Sequence, residues 1–255
     1  MKRHNAVKVI SDSILADGLV SALFLKGSMA RGEDDDYSDV DMYAVVSDEN
    51  FDMFLSRRIE YLEKYKPLLH WSEVYFVAPQ IVGIFEDALH FDLYAVKPDN
   101  IPQTGSIKTI SDDSGLLSNY KKEPLCLTED GLSENISEFT YTLIEIEAAY
   151  ARNDLSRCIY LFYINYGYMS QLTRYVYDKE NSLLGNKGMY KSVPSEVYDE
   201  YLKILENATP TKILTAIKML LQLFEKTIAM LPERAQVEMN RKYYDVLSGR
   251  LYRLG

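Results

Sequence analysis

The residues best suited to chemistry cluster around two short apolar runs. Ala22-Leu23-Phe24-Leu25 leads into Lys26-Gly27-Ser28, ten residues follow Ser28, and Asp39-Val40-Asp41 then opens a second run that ends at Val46. Side chains alternate faces along a strand, so Asp39 and Asp41 point the same way. Two carboxylates held this close repel each other unless a cation lies between them. Hard oxygen ligands suit Mg²⁺ or Mn²⁺. Gly27 permits close approach of the backbone to a phosphate, and Ser28 adds a hydroxyl donor. A helix opening at Gly-Ser would aim its first amides at the same phosphate. Arg31, in the first turn of that helix, is either a further phosphate contact or a surface charge.

A third carboxylate fits the same chemistry. Leu89-His90-Phe91-Asp92-Leu93-Tyr94 reads as a strand with Asp92 on its polar face. If that strand neighbours the one carrying Asp39 and Asp41, the three acids converge. Two would hold metal. Asp92 would complete a second metal site or take the proton from an attacking hydroxyl. His70 and His90 read as structural or exposed, and Asp34-Asp35-Asp36 as a solvated loop. Glu145 and Glu147 lie on adjacent faces of a later helix, one of them as plain surface and the other as a candidate pocket acid.

These residues must be positioned by a mixed α/β half. Val7, Ile10, Ile14, Leu15 and Leu19 give helical spacing over residues 6–20, and residues 50–65 form a second helix. Strands are expected at 22–25 and 40–46, then at 71–77, 81–85 and 89–96, with Ala78-Pro79-Gln80 as a turn. Residues 98–120 are polar. Leu125-Cys126-Leu127 reads as a last short strand turned by Glu129-Asp130-Gly131. The character then changes. Ser133 and Glu134 open a helix through Ile136, Phe139, Leu143, Ile146 and Tyr150, and Asn153-Asp154 breaks it. Residues 155–178 are apolar on nearly every side, a buried central helix. A loop at 181–194 precedes helices at 195–207 and 211–231, the latter with Ile213, Leu214, Ile217, Leu220, Leu221, Phe224 and Ile228 on one stripe. The expected fold is therefore α+β: a mixed domain over residues 1–131 and a helical bundle over 132–255.

Composition narrows the function further. The chain has 255 residues, 47% hydrophobic and 26% charged, which argues against disorder. No stretch reaches the length of a membrane span, and no apolar segment follows Lys2 and Arg3 as a secretory signal would require. Two cysteines, Cys126 and Cys158, are too few and too far apart for a disulfide framework or zinc site, so a reducing cytoplasm is expected. The net charge is −10, and residues 1–131 carry all of it, with 23 Asp and Glu against 13 Lys and Arg. That balance disfavours nucleic acid as a partner and favours cations, metal or small amine.

Gly27-Ser28, the ten-residue gap and Ser38-Asp39-Val40-Asp41 resemble the nucleotidyltransferase superfamily with the DNA polymerase β-like palm. With its helical second half, the chain is similar to the antibiotic nucleotidyltransferases, nearest to lincosamide enzymes of the LinB type and next to aminoglycoside adenylyltransferases. Only residues 25–43 carry this likeness specifically. It implies Mg²⁺-dependent transfer of a nucleoside monophosphate from NTP to a drug hydroxyl, with release of pyrophosphate. By position, Gly27 and Ser28 would bind triphosphate, with Arg31 a candidate beside them. Asp39 and Asp41 would bind metal, and Asp92, Glu145 or Glu147 would be the base. The acceptor would be a small hydroxylated amine seated between the two halves. Competing readings are a regulatory enzyme acting on protein or RNA, as similar antitoxins do, and a nucleotide-binding module without activity. The sequence leaves open the preferred NTP, the number of metals and whether the chain is a monomer or a homodimer.

Overall fold

The computed structural model describes residues 2–254, which divide into two compact units on either side of the Glu123–Pro124 bond. The first is built on a six-stranded sheet. In chain order it contains α1 (Lys2–Ala16), β1 (Val20–Leu25), α2 (Gly27–Arg31), β2 (Val40–Val46), α3 (Asp48–Glu63), β3 (Leu68–Tyr75), β4 (Pro79–Phe85), β5 (His90–Val96) and β6 (Lys108–Ser111). The strand order is β3-β4-β5-β2-β1-β6. Only the central β2–β5 pair is parallel; every other neighbour is antiparallel.

Strand alternation gives the sheet two different faces. Leu23, Leu25, Met42, Ala44, Phe91 and Leu93 pack against Ala6, Ile10 and Ile14 of α1 and Phe54, Tyr61 and Leu62 of α3. The apolar residues of α1 recur at four-residue steps, so one stripe meets the sheet. The helix stops at a turn where Gly18 takes φ 69°. Asp17, in that turn, accepts hydrogen bonds from Arg57 and Tyr61 of α3, and the Tyr61 bond, then Arg57, holds its carboxyl below the ordinary range. The other face bears Phe24, Tyr43, Val45, Tyr94 and Val96, covered by Ala78 and Leu117. Asp41 and Asp92 share the parity of this second face.

Several expected boundaries in this unit shift: the helix expected over 6–20 is Lys2–Ala16, which leaves Leu19 outside it. The turn between β3 and β4 is at residues 76–78, and Pro79 already pairs with Tyr75. The first position of a strand suits Pro, which has no N–H to give the ladder. Lys108–Ser111 is a strand inside the segment read only as polar, and it pairs along β1. Short, polar edge strands of this kind leave almost no alternation to read.

The second unit is helical: α4 (Glu129–Ala151), α5 (Leu155–Tyr177), α6 (Ser195–Glu206), α7 (Ile213–Ile228), α8 (Glu233–Glu238) and α9 (Arg241–Arg253). Phe224 of α7 stacks on Phe139 of α4 at 4.0 Å between ring centroids, and Tyr244 of α9 packs against Phe224 at 5.1 Å. Asn153 takes φ 57°, and Asp154 caps α5 by accepting from the Arg157 N–H, so the expected break is a tight reversal.

Leu125-Cys126-Leu127 is not a strand. Thr128 caps a helix that begins at Glu129, four residues before the expected Ser133, by accepting from the Gly131 N–H at 3.0 Å. Glu129 and Asp130 favour that first turn because its exposed amides are electropositive. The Leu127 N–H donates to Ser182 Oγ, and Leu125 O accepts from Leu183, so this apolar run is tied to the turn at 179–184. Leu127 is buried in the core of the helical unit.

Candidate active site

The parallel β2–β5 register sets Asp41 beside Asp92, with Val40 beside Phe91 one step earlier. Asp39 and His90 stand one further step ahead of that pair. Ligand atoms of Asp39, His90 and Asp92 all lie within 4.8 Å of one another, the one such group among the described residues. His90 Nε2 is 3.1 Å from Asp92 Oδ1. Asp92 is only 7% exposed. Burial pushes its carboxyl above the ordinary range, against the pull of His90 and a hydrogen bond from Gln80; Asp39 adds to the rise. An ionised carboxylate in that setting is short of countercharge.

The Gly27-Ser28 turn abuts the same place. Gly27 has φ 63°, and a Cβ there would collide with Asp41 Oδ2. Only glycine combines that conformation with such close approach. Ser28 is the second residue of the short α2, and its Oγ is enclosed with no hydrogen-bond partner in the fold. A buried hydroxyl left unpaired costs roughly 1–3 kcal/mol, so this donor is held ready at a loss. Together these are the features a divalent cation and its phosphate would use: clustered oxygen donors, a vacant hydroxyl and a cradle with no room for a side chain.

Arg31 is turned to Glu33, its Nε donating at 2.7 Å. The acidic loop is occupied as well. Asp34 and Asp36 lie 3.6 Å and 3.8 Å from the buried Arg3, and Asp35 is bonded to Ser38. Glu145 pairs with Arg157 at 3.3 Å and Glu147 with Arg250 at 2.7 Å, both inside the helical unit. The tyrosines divide between core and site. Tyr43 stacks on Tyr94 at 4.1 Å and on Phe24 at 5.2 Å, continuing the carboxylate face as a row of rings. Burial first, then neighbouring Tyr94 and Asp41, raise the Tyr43 hydroxyl well above its ordinary value.

Two members of this site escape the sequence reading. His90, expected to be structural or exposed, joins the acid cluster. Lys26 precedes the Gly-Ser turn; its N–H donates to Asp41 O, and its ammonium donates to Pro102 O at 2.9 Å. The ammonium also sits over the rings of Tyr43 and Tyr120, 5.6 Å and 5.9 Å from their centroids. For His90 the signal was available: it has the parity of Asp92, two residues on. Lys26 gave none, because its partners Pro102 and Tyr120 are remote in sequence.

Lys26 gives a pH prediction. Burial pulls its ammonium down to about 8, with Asp41 opposing. In the unfolded chain the group titrates near 10.4, so just above the folded value the unfolded state binds the extra proton. The Lys26 contribution to the stability of the metal-free protein should therefore rise with pH from about 8 to roughly 9.5, against an opposite contribution from the buried Cys158 thiol, which the fold holds up to about 11. Lys26→Met should flatten that rise and be more stable than wild type at neutral pH. Urea unfolding in EDTA across the range checks it, and an unchanged slope in the variant would assign the rise to other groups.

No protein-family model and no curated protein matches the chain. Among solved structures it is similar to an aminoglycoside 6-adenyltransferase from Bacillus subtilis, with TM-score 0.42 and 13% identity over 96% of this chain and 97% of that one. It is also similar to spectinomycin adenyltransferase AAD(9) from Enterococcus faecialis, with ATP and spectinomycin, at TM-score 0.32 and 11% identity over 99% and 98% of the two chains. At such scores the function has to rest on the carboxylate face itself.

Proposed function

We propose that the chain is a nucleotidyltransferase that moves a nucleoside monophosphate from an NTP to a hydroxyl of a small cationic acceptor, of lincosamide or aminoglycoside type, releasing pyrophosphate. The observation that carries this reading is the in-register placement of Asp41 and Asp92, with Asp39 beside them, against a glycine turn that Asp41 leaves no room to substitute. Bound Mg²⁺ or Mn²⁺ would neutralise charge developing on the phosphates. Asp39 and Asp41 would hold the cation. Gly27 and Ser28 would bind the triphosphate, Ser28 by giving its unpaired hydroxyl to a phosphate oxygen. Arg31 would add to them once it leaves Glu33. Asp92 would accept the proton of the attacking hydroxyl through a carboxylate oxygen, and burial makes it a stronger base than an exposed aspartate. Gln80 orients it, as does His90 Nε2 while no cation is bound. The bundle acids Glu145 and Glu147 are the weaker candidates for this task, since each is already bound to an arginine.

The acceptor class follows from charge. The excess of carboxylates in the sheet-bearing part of the chain opposes an anionic triphosphate, and the cation offsets only part of that field. An acceptor carrying a protonated amine would gain from what remains. The test is pyrophosphate release with ATP, GTP, CTP and UTP against a panel of hydroxylated antibiotics, with a salt series on any that respond. A cationic acceptor whose KM rises as the attraction is screened is the expected result. Label entering a protein or RNA, with no drug modified, would replace this reading with the regulatory one.

A further inference from the structure

Asp39, His90 and Asp92 form a donor set distinct from a purely acidic one. Their ligand atoms lie within 4.8 Å of one another. Around a six-coordinate cation with bonds near 2.1 Å, donors stand roughly 3 Å apart when adjacent and about 4.2 Å when opposite. The group therefore needs only a small contraction to close on a metal. His90 is fixed for this by strand geometry. It shares the face of Asp92, and its Nε2 already points at the Asp92 carboxylate. Asp41, by contrast, has its Oδ2 against Gly27, and it is not a member of this group. The two sides of the site thus differ in chemistry: Asp41 faces the Gly27 turn and the field of the Lys26 ammonium, whereas two carboxylates and one imidazole gather at Asp92.

We infer that His90 is a metal ligand and that, with Asp39 and Asp92, it makes a cation position selective for Mn²⁺ over Mg²⁺. The inference rests on the reading above that this face holds a divalent cation, and it names which one. Mg²⁺ demands oxygen donors and gives up water reluctantly, whereas imidazole suits first-row transition ions. Asp92 can serve both roles because a carboxylate has two oxygens: Oδ1, on the His90 side, meets the cation, and the other remains for the acceptor proton.

The experiment needs neither nucleotide nor acceptor. Mn²⁺ alone is titrated into histidine-¹⁵N-labelled protein, free Mn²⁺ is followed by electron paramagnetic resonance, and the bound ion is examined for ¹⁵N hyperfine coupling. Mg²⁺ affinity is obtained by competition. The chain has three histidines, so one variant assigns the coupling. Wild type should hold Mn²⁺ at least tenfold more tightly than Mg²⁺ and show ¹⁵N coupling. His90→Gln should lose the coupling and weaken Mn²⁺ about tenfold or more, a loss that perturbing even the partners of metal ligands can produce, with little change for Mg²⁺. The His90 side chain is 42% exposed, so the fold should tolerate the change. His90→Asp restores an all-oxygen set, and should bind Mg²⁺ at least as well as wild type while losing the Mn²⁺ preference. Coupling that persists in either variant, or equal affinities in wild type, would overturn the inference. Pyrophosphate release without the coupling would leave the proposed function standing and remove only His90. Coupling in a protein that modifies no acceptor would do the reverse.

Discussion

Asp39→Asn and Asp41→Asn should each lower nucleotidyl transfer by at least about a thousandfold, a loss of roughly 4 kcal/mol from transition-state stabilisation. Both residues keep their size in the change; Asp39 loses a negative charge beside other carboxylates, and Asp41 one that also faces the Lys26 ammonium. The metal-free fold should therefore hold, and in Asp39→Asn it should become slightly more stable. Pyrophosphate release with excess Mg²⁺ or Mn²⁺ reads the first effect and thermal unfolding in EDTA the second. Either variant at full activity would remove these carboxylates from the mechanism. Asp92→Asn extends the series and carries a sign. Its folded carboxyl titrates above its unfolded value, so the folded state holds the proton to higher pH, and ionising it costs stability as pH rises through the carboxylate range. At neutral pH the asparagine variant should unfold at higher temperature than wild type, and the gap should close on acidification. Its turnover should fall further than its nucleotide affinity, because taking a proton belongs to the transition state.

Gly27→Ala should be the most damaging single-methyl change in the sheet-bearing unit. The added Cβ meets the Asp41 carboxylate, and alanine pays for φ 63° as well. We expect a stability loss of about 1–3 kcal/mol and transfer reduced at least about a hundredfold, since Asp41 must move from where it would hold the proposed cation. Gly32 supplies the control. It has φ 70°, yet a Cβ there meets nothing within 4 Å. Gly32→Ala should therefore cost only the conformational strain, about 1 kcal/mol, and leave transfer largely intact. Equal loss of activity in the two variants would mean that the turn matters only for folding.

Much of this was legible in the chain. The Gly-Ser turn and the Asp-x-Asp parity are local: they depend on residues within one strand and the turn before it, and the period of two is a property of the backbone. The helical unit was legible as far as α7 for a similar reason, whereas α8 and α9 lie beyond the last helix expected. The stripe from Ile213 to Ile228 and the break at Asn153-Asp154 are set by side-chain spacing and by one capping carboxylate. Where an apolar run was short, period alone could not decide. Leu125-Cys126-Leu127 has the composition of a strand, but Thr128 starts a helix directly after it and Ser182 takes its amide. Lys108–Ser111 has no apolar alternation, and it is a strand because β1 offers it an edge.

The tertiary structure alone decided what stands beside the acids. The sequence determined that Asp39 and Asp41 share a face; it placed Asp92 on a polar face of its strand, whereas that face is buried with Tyr94 and Val96. It could not fix that β5 runs parallel to β2 with Asp92 level with Asp41, because register between strands 51 residues apart is set by how both pack against α1 and α3. From that register come the grouping of His90 with Asp39 and the burial that raises Asp92, while the antiparallel pairing of β1 with β2 closes Asp41 onto Gly27. Lys26 is the clearest case. Next to a glycine it looks like any surface lysine, and it becomes a half-buried ammonium only because the segment around Pro102 and Tyr120 folds back over it. Periodicity and turn chemistry are written residue by residue; proximity between distant segments is a property of the packed core, which no single segment encodes.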